Sequence, residues 1–527
     1  MIVVIGSGPA GVACASALVE KGLDVTLVDA GIQLEPERKS VVDGLARVSS
    51  EDWPADAVET IRGEMAVEMG GVPLKHVYGS DYPYQEVDRL VPFENHNAAT
   101  RPTLARGGFS TVWGASVLPY LAGDIDDWPI GVEDLAPHYR AACSLVPISA
   151  VEDDLASLLP LYTNGHQQLD PSVQISALLE DLARSEARLK AGGFRFGRAR
   201  VAVRAEADER GRGCAYCGLC LRGCPYRLIY EASSTLDQLR RSERFRYVPD
   251  LVVERLVESG GSVTLHARSC RTGEPVRLEA SRVYVGCGVV STTKLLLHSL
   301  EAFDRPLVMK DSTYFLVPWL RWKAAPRVQE EALYTLAQAF IELTDPTVSA
   351  KTIHLQVYAY NDLYRQLLAR PLGRASGLFR VPIDQLLSRM LLIQGYLHSD
   401  LSPTLTATLR RHGEGSKLVL EGGSDPATRR TLRRVMLRLI RHVRDFRALP
   451  AWPVLQVAAP GRGFHCGGTF PMRESPGPFE SDRLGRPHGF ERVHVVDASV
   501  FPSMPATTIT LSVMANAHRI ASACDEA

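Results

Sequence analysis

Ile2-Val3-Val4-Ile5-Gly6-Ser7-Gly8-Pro9-Ala10-Gly11 opens the chain, and Val25-Thr26-Leu27-Val28-Asp29 follows one helix length later. Four β-branched residues in a row predict a buried strand. Val12 to Lys21 then reads as a helix ended by Gly22, and Val25–Val28 as a second strand. Strand, glycine turn, helix, strand and acid stand in the order of a dinucleotide site. Gly6 allows the tight turn, Gly8 lets the backbone approach a pyrophosphate, and Gly11 lets helix and strand pack closely. The helix start offers free N–H groups to the phosphates. Asp29 accepts from both ribose hydroxyls, which disfavours a 2′-phosphate. The motif alone does not separate NAD from FAD.

Composition bounds the rest. A chain of 527 residues exceeds one ordinary core, so two or more domains are expected. With 59 Lys plus Arg against 60 Asp plus Glu, the net charge is −1, and nothing electrostatic points to nucleic acid as a partner. No run of eighteen apolar residues exists, so no membrane-spanning helix is expected. The first eighteen residues lack a basic start and carry three glycines where a signal peptide is apolar. The expectation is a cytoplasmic chain whose ten cysteines are not a disulfide scaffold.

Three further segments extend the reading. Gly107-Gly108-Phe109-Ser110-Thr111-Val112-Trp113-Gly114 is followed by Asp127-Trp128-Pro129-Ile130. Arg282-Val283-Tyr284-Val285-Gly286-Cys287-Gly288 precedes Leu295-Leu296-Leu297. His465-Cys466-Gly467-Gly468-Thr469 leads through Val495-Val496-Asp497-Ala498-Ser499-Val500-Phe501-Pro502 to Leu511. With the opening fingerprint, these resemble the glucose–methanol–choline (GMC) flavin oxidoreductases, in the order usual for that family. The match weakens between about 301 and 450.

The resemblance implies an α/β fold. A discontinuous, Rossmann-like FAD-binding domain would span 1–300 and 450–527, with a cysteine-rich loop at 211–226. Residues 301–449 would form a substrate domain with an antiparallel sheet and helices. It also implies FAD and oxidation of an alcohol carbon. Gly6, Gly8, Gly11 and Asp29 would hold the ADP half, Gly108, Ser110 and Thr111 would lie near the flavin ring and pyrophosphate, and Asp497 and Ala498 near the pyrophosphate and ribityl chain. Some sugar oxidases of the family carry a flavin-bonding histidine two residues after the serine of the second segment. Here Val112 stands there, so the FAD is expected to be non-covalent.

By the same resemblance His465 is the active-site base. Imidazole suits that task because its ordinary pKa lies near neutrality. The family's partner position, usually His or Asn, falls on Thr508, with Thr507 as the adjacent choice. A threonine hydroxyl orients a substrate hydroxyl but is no base at neutral pH. Cys466 reads as a packing residue.

Cys214, Cys217, Cys220 and Cys224-Pro225 have the spacing C-x2-C-x2-C-x3-C-P of bacterial ferredoxins. The leading reading is a [4Fe-4S] or [3Fe-4S] cluster. A metal-free or disulfide-bearing structural loop and a zinc site stand beside it, although zinc ribbons separate their CxxC pairs by a longer loop.

Elsewhere, residues 30–105 read as loops and short helices over the FAD. Residues 310–424 mix β-rich runs such as Thr352-Ile353-His354-Leu355-Gln356-Val357-Tyr358 with a helical stretch near 361–394. Residues 426–447 read as one amphipathic helix, its outer arginines a solvated face or a dock for an acidic redox partner or membrane surface. The functional expectation is an FAD-dependent dehydrogenase acting on a sugar, glycoside or aminosugar alcohol. Aminosugar oxidation, as in the aminoglycoside 6′-oxidases of the family, is its specialised form. Electrons would pass to an acceptor protein or quinone. The rivals are an oxygen-using oxidase with a structural cysteine loop and a non-catalytic electron-transfer flavoprotein.

Overall fold

The computed structural model describes residues 1–63, 74–208, 211–369, 380–413 and 415–524. The opening apolar run forms the strand Ile2–Ile5 at the centre of a five-stranded parallel sheet. Val25–Val28 and then Phe245–Val248 lie on one side of it, Arg282–Val285 and then Val493–Val495 on the other. The C-terminal segment thus returns to complete a sheet begun at residue 2. Apart from the edge strand Phe245–Val248 these strands are buried nearly throughout, as parallel strands covered on both faces require.

The first helix spans Pro9–Glu20, three residues earlier than the apolar periodicity implied. Gly8 is the extended N-cap, and the fixed φ of Pro9 suits the first turn. The helix Thr510–Ser522 packs on it and on Val132–Leu145. Within 30–105 the described residues hold the short helices Pro36–Leu45, Ala55–Arg62 and Val87–Leu90. Residues 370–379, inside the stretch expected to be helical, lie outside the described residues; Asp362–Ala369 and Arg380–Leu387 flank them as helices.

A second sheet has seven strands. Its main order is Ala448–Pro450, Tyr314–Arg321, Met390–Tyr396, Ile353–Tyr358, Ala339–Leu343 and Phe194–Arg198, antiparallel throughout. Alternation gives it two different faces. Phe315, Val317, Trp319, Leu355, Val357 and Ile393 point to one side and form a core with the helices Val173–Arg184 and Pro426–Arg441. The other side carries Tyr314, His354, Gln356, Tyr358, Gln394 and Tyr396. The edge strand Phe194–Arg198 comes from well before residue 301, so this sheet draws on both expected segments.

Leu432, Val435, Met436 and Leu439 are the buried stripe of Pro426–Arg441, each worth about 1.5–3 kcal/mol by burial. The helix stops at Arg441 rather than 447. His442 leaves helical geometry, its Nδ1 lying 3.0 Å from Asp445 Oδ2, and Val443–Phe446 forms a separate turn. Arg429, Arg430, Arg433, Arg434 and Arg441 are exposed, whereas Arg438 turns inward to the buried Asp345 and the Gly192 carbonyl.

A third sheet positions the expected base. Cys466–Gly467 pairs antiparallel with Lys310–Asp311, and the Ser312 N–H donates to the His465 carbonyl at 3.1 Å. The buried Asp311 carboxylate accepts from Gly461 N–H at 2.9 Å and from the Cys466 thiol at 3.4 Å. Among the described residues no helix is long and apolar enough to cross a membrane.

Candidate active site

One cavity of about 940 Å³ is bounded by elements of each of these three sheets. Gly6, Ser7, Gly8 and Asp29 line one part of it, on the elements of the parallel sheet, and Tyr314, Tyr358, Gln394, Tyr396 and His465 line another.

The first part is built by close backbone approach. Gly6 has φ +99°, and a Cβ there would come within 2.5 Å of the Gly286 carbonyl oxygen. Gly108, at φ +60°, brings its own Cβ position to 3.0 Å from the Gly8 Cα. The Gly107 N–H donates to Ser7 Oγ at 2.9 Å, and Ser7 Oγ donates in turn to Asp29. Two segments a hundred residues apart are thereby clasped over the first helix N-terminus, leaving a cradle that side chains would fill. Burial pushes the Asp29 carboxyl up to about 6, against the hydrogen bonds from Ser7 and Tyr247. Gly11, inside the helix, packs against Gly6 rather than lining the cavity.

Ser110 and Thr111 sit beside the cavity without lining it. Ser110 Oγ donates to Gly107 O and accepts from Ala232 N–H, and Thr111 Oγ1 donates to Gly108 O at 2.9 Å. Their hydroxyls hold the turn, while Phe109, Val112 and Trp113 face the cavity. Asp497 and Ala498 line it. The Asp497 carboxylate accepts from Gly288 N–H, Thr292 Oγ1 and Ser499 N–H, which fixes the start of the helix Val289–Ser299.

His465 lines the second part. Its ring stacks on Tyr396 with centroids 4.7 Å apart and planes 20° apart, and its Nδ1 has no hydrogen-bond partner among the described residues. Burial holds its pKa down at about 4, so the imidazole is neutral at physiological pH. Thr508 is not brought to it. Its Oγ1 accepts the Leu118 N–H at 2.9 Å, and neither it nor the buried Thr507 lines the cavity. The residues of this segment that do are Ile509, Thr510 and Val513, which bring the N-terminal end of Thr510–Ser522 and its positive dipole to the cavity wall.

Cys214, Cys217, Cys220 and Cys224 line one separate chamber with Tyr226 and Tyr334, and none is in a disulfide. Burial raises the Cys214 and Cys217 thiols to about 12 and Cys224 to about 11. Backbone N–H groups of Tyr216, Thr335 and Leu228 point at three of the sulfurs, at 3.4–3.5 Å. The free volume is about 20 Å³, little more than one water. Among the described residues no three His, Cys, Asp or Glu side chains converge to hold a single metal ion. The chamber adjoins the large cavity: Cys220 faces the first and Leu221 the second. Lys75, in the wall of the large cavity, donates to the Trp113 carbonyl at 2.7 Å, and burial lowers it to about 8.

With this geometry in view, the family model described as GMC oxidoreductase matches residues 433–517, the stretch that carries His465 and Asp497. This stretch is therefore similar to GMC oxidoreductases. A model described as NAD(P)-binding Rossmann-like domain matches residues 4–34, the glycine cradle and Asp29. Among solved structures, pyridoxine 4-oxidase from Mesorbium loti has the same fold, with a TM-score of 0.53 and 15% identity over 99% of this chain and 98% of that one. No curated protein sequence matches.

Sequence reasoning missed Tyr314, Tyr358, Gln394 and Tyr396. Their clearest signal lay in Ile353–Tyr358, where His354, Gln356 and Tyr358 take every second position opposite an apolar face.

Proposed function

We propose that this chain is an FAD-dependent oxidoreductase of the GMC type that oxidises an alcohol carbon of a sugar-like polyol, glycoside or aminosugar, with His465 taking the hydroxyl proton. The observation behind this reading is that His465 and the glycine cradle open onto one cavity. FAD, when bound, accepts the hydride. His465 is neutral and fixed in plane by Tyr396, so its lone pair is available when the hydroxyl proton leaves. Tyr314, Tyr358 and Tyr396 offer flat ring faces and Gln394 an amide, a set suited to a ring that bears several hydroxyls. Val112 in the cavity wall has no atom that could bond to the flavin, consistent with non-covalent FAD.

Cys214, Cys217, Cys220 and Cys224 are the residues that would hold an iron–sulfur cluster. Such a cluster, when bound, passes electrons one at a time to an acceptor protein or quinone. Four unpaired thiols on one chamber beside the FAD cavity support that reading, and so do the N–H groups aimed at three of them. The small free volume favours a second reading, an oxygen-using oxidase whose cysteine segment is structural. Retention of a cavity-facing His465 speaks against a non-catalytic electron carrier.

The test is iron and acid-labile sulfide in protein purified without oxygen, followed by Cys217→Ser. A cluster gives both elements in near-equal amounts, and the variant loses transfer to an artificial acceptor while substrate still reduces the flavin. Fully active protein containing neither element, releasing hydrogen peroxide at each turnover, supports the oxidase reading instead.

A further inference from the structure

The strand Ile353–Tyr358 sends His354, Gln356 and Tyr358 to the cavity-side face of the seven-stranded sheet, while Ile353, Leu355 and Val357 face the core behind. Glu342, on the neighbouring strand, is the cross-strand partner of His354. Glu342 and His354 are both fully buried, Gln356 nearly so. Three contacts join these groups in series. His354 Nδ1 lies 2.6 Å from Glu342 Oε1, Gln356 Nε2 lies 3.2 Å from His354 Nε2, and the Tyr358 hydroxyl lies 2.9 Å from Gln356 Oε1. Ser116 Oγ is a second donor to that amide oxygen, at 3.4 Å. Only Tyr358 reaches the cavity, where its hydroxyl sits 3.5 Å from the Cβ position of Gly114.

Each link limits the next. A carboxylate only accepts, so His354 donates through Nδ1–H. The Gln356 amide nitrogen stands 3.2 Å from His354 Nε2, so the amide donates there and Nε2 accepts. The amide oxygen therefore faces the two hydroxyls and takes the Tyr358 proton. What Tyr358 shows the cavity is an oxygen lone pair. A buried polar series of this kind is costly unless every member is paired in one sense, and here the sense is set at the Glu342 end.

We propose that Glu342, His354 and Gln356 act as positioning residues that hold Tyr358 as a hydrogen-bond acceptor, so that the enzyme selects alcohols bearing a second O–H or N–H donor besides the carbinol being oxidised. The acceptor serves a different substrate atom from the one His465 deprotonates. His465 is backed by Tyr396, whose cross-strand partner is His354, and Tyr358 stands four residues further along that strand, about 13 Å in backbone rise. The preference is for polyols, aminoalcohols or hydroxylated rings over simple alkanols. This rests on the alcohol-oxidation reading, and its test separates the two.

Anaerobic flavin reduction is measured with matched probes: cyclohexanol against the cyclohexanediols, and benzyl alcohol against 3-hydroxybenzyl alcohol. The best diol or hydroxybenzyl probe should exceed its mono-ol in second-order rate constant by about tenfold or more, the scale on which a site built around a hydrogen bond rejects an analogue lacking it. Tyr358→Phe should bring that ratio close to one, and Glu342→Gln should reduce it although it touches no substrate. Independently of any substrate, ¹⁵N-histidine NMR of the holoenzyme, with His354 assigned from a His354→Gln variant, should show the neutral Nδ1–H tautomer. An unchanged ratio in Tyr358→Phe, or His354 found as imidazolium or as the Nε2–H tautomer, overturns the relay. If no probe reduces the wild-type flavin, the alcohol reading is what fails, and the tautomer alone decides the relay.

Discussion

The imidazole of His465 lies against the ring of Tyr396, 4.7 Å between centroids and 20° between planes, and His354 lies against the same tyrosine at 6.3 Å. His465 is therefore held by an aromatic face rather than by a carboxylate on its Nδ1. A ring fixed in this way keeps its direction but gains no help in holding a proton, in keeping with its lowered affinity.

Replacement of His465 by Ala should leave FAD bound, because His465 stands beside a different sheet from the one that carries Gly6, Gly8 and Asp29. Flavin reduction should slow by about 10²–10⁴, the usual scale of lost general-base assistance. Rapid-mixing absorbance of the anaerobic enzyme checks this. Near-normal reduction would move the base elsewhere, with His494 and His518 next to examine.

The pH profile follows from the lowered pKa. His465 is neutral above about 4, so the base is present throughout the neutral range and is lost only as pH falls towards that value. The rate of flavin reduction should stay flat well below pH 6.5 and fall with an acid limb near 4. A limb at the ordinary imidazole value would mean that His465 is less buried when FAD and substrate are in place.

Thr508→Val should leave flavin reduction nearly unchanged and lower stability instead. The substitution orphans the buried Leu118 N–H, at a cost of about 1–3 kcal/mol. Denaturant unfolding of the holoprotein measures the second effect. A hundredfold slower reduction with unchanged stability would restore Thr508 to the orienting role that its position in the family pattern suggested.

Acid precipitation should release the FAD into solution, since Val112 faces the cavity where a bonding histidine stands in some relatives. Flavin fluorescence that stays with the denatured polypeptide would contradict this.

These expectations also show what the sequence could and could not carry. Ile2–Ile5 was legible as a strand because four apolar, β-branched residues have no other stable home beside a glycine turn. Asp29 was legible because the acid follows the second strand directly. The clasp of Gly108 on Gly8 was not, since it depends on a contact between segments a hundred residues apart. Thr508 lies off the cavity because the turn after Pro505 presents Ile509 and Thr510 to it, a register that pattern matching does not fix. The helix expected at 426–447 was too long by its last turn, where the His442–Asp445 contact replaces the helical ladder. The roof of the site was the least legible. His354, Gln356 and Tyr358 alternate visibly within one strand, but their partners Glu342 and Tyr396 lie on neighbouring strands whose pairing the sequence does not state.

The measurement that bears most directly on the central claim is anaerobic reduction of the bound flavin by a panel of sugars, glycosides and aminosugars, in wild type and His465→Ala side by side. The account predicts that at least one of these alcohols bleaches the oxidised flavin of the wild type, and that the same alcohol reduces the variant about a hundredfold or more slowly. Flavin that no alcohol reduces, or that is reduced equally fast without the imidazole, would contradict it.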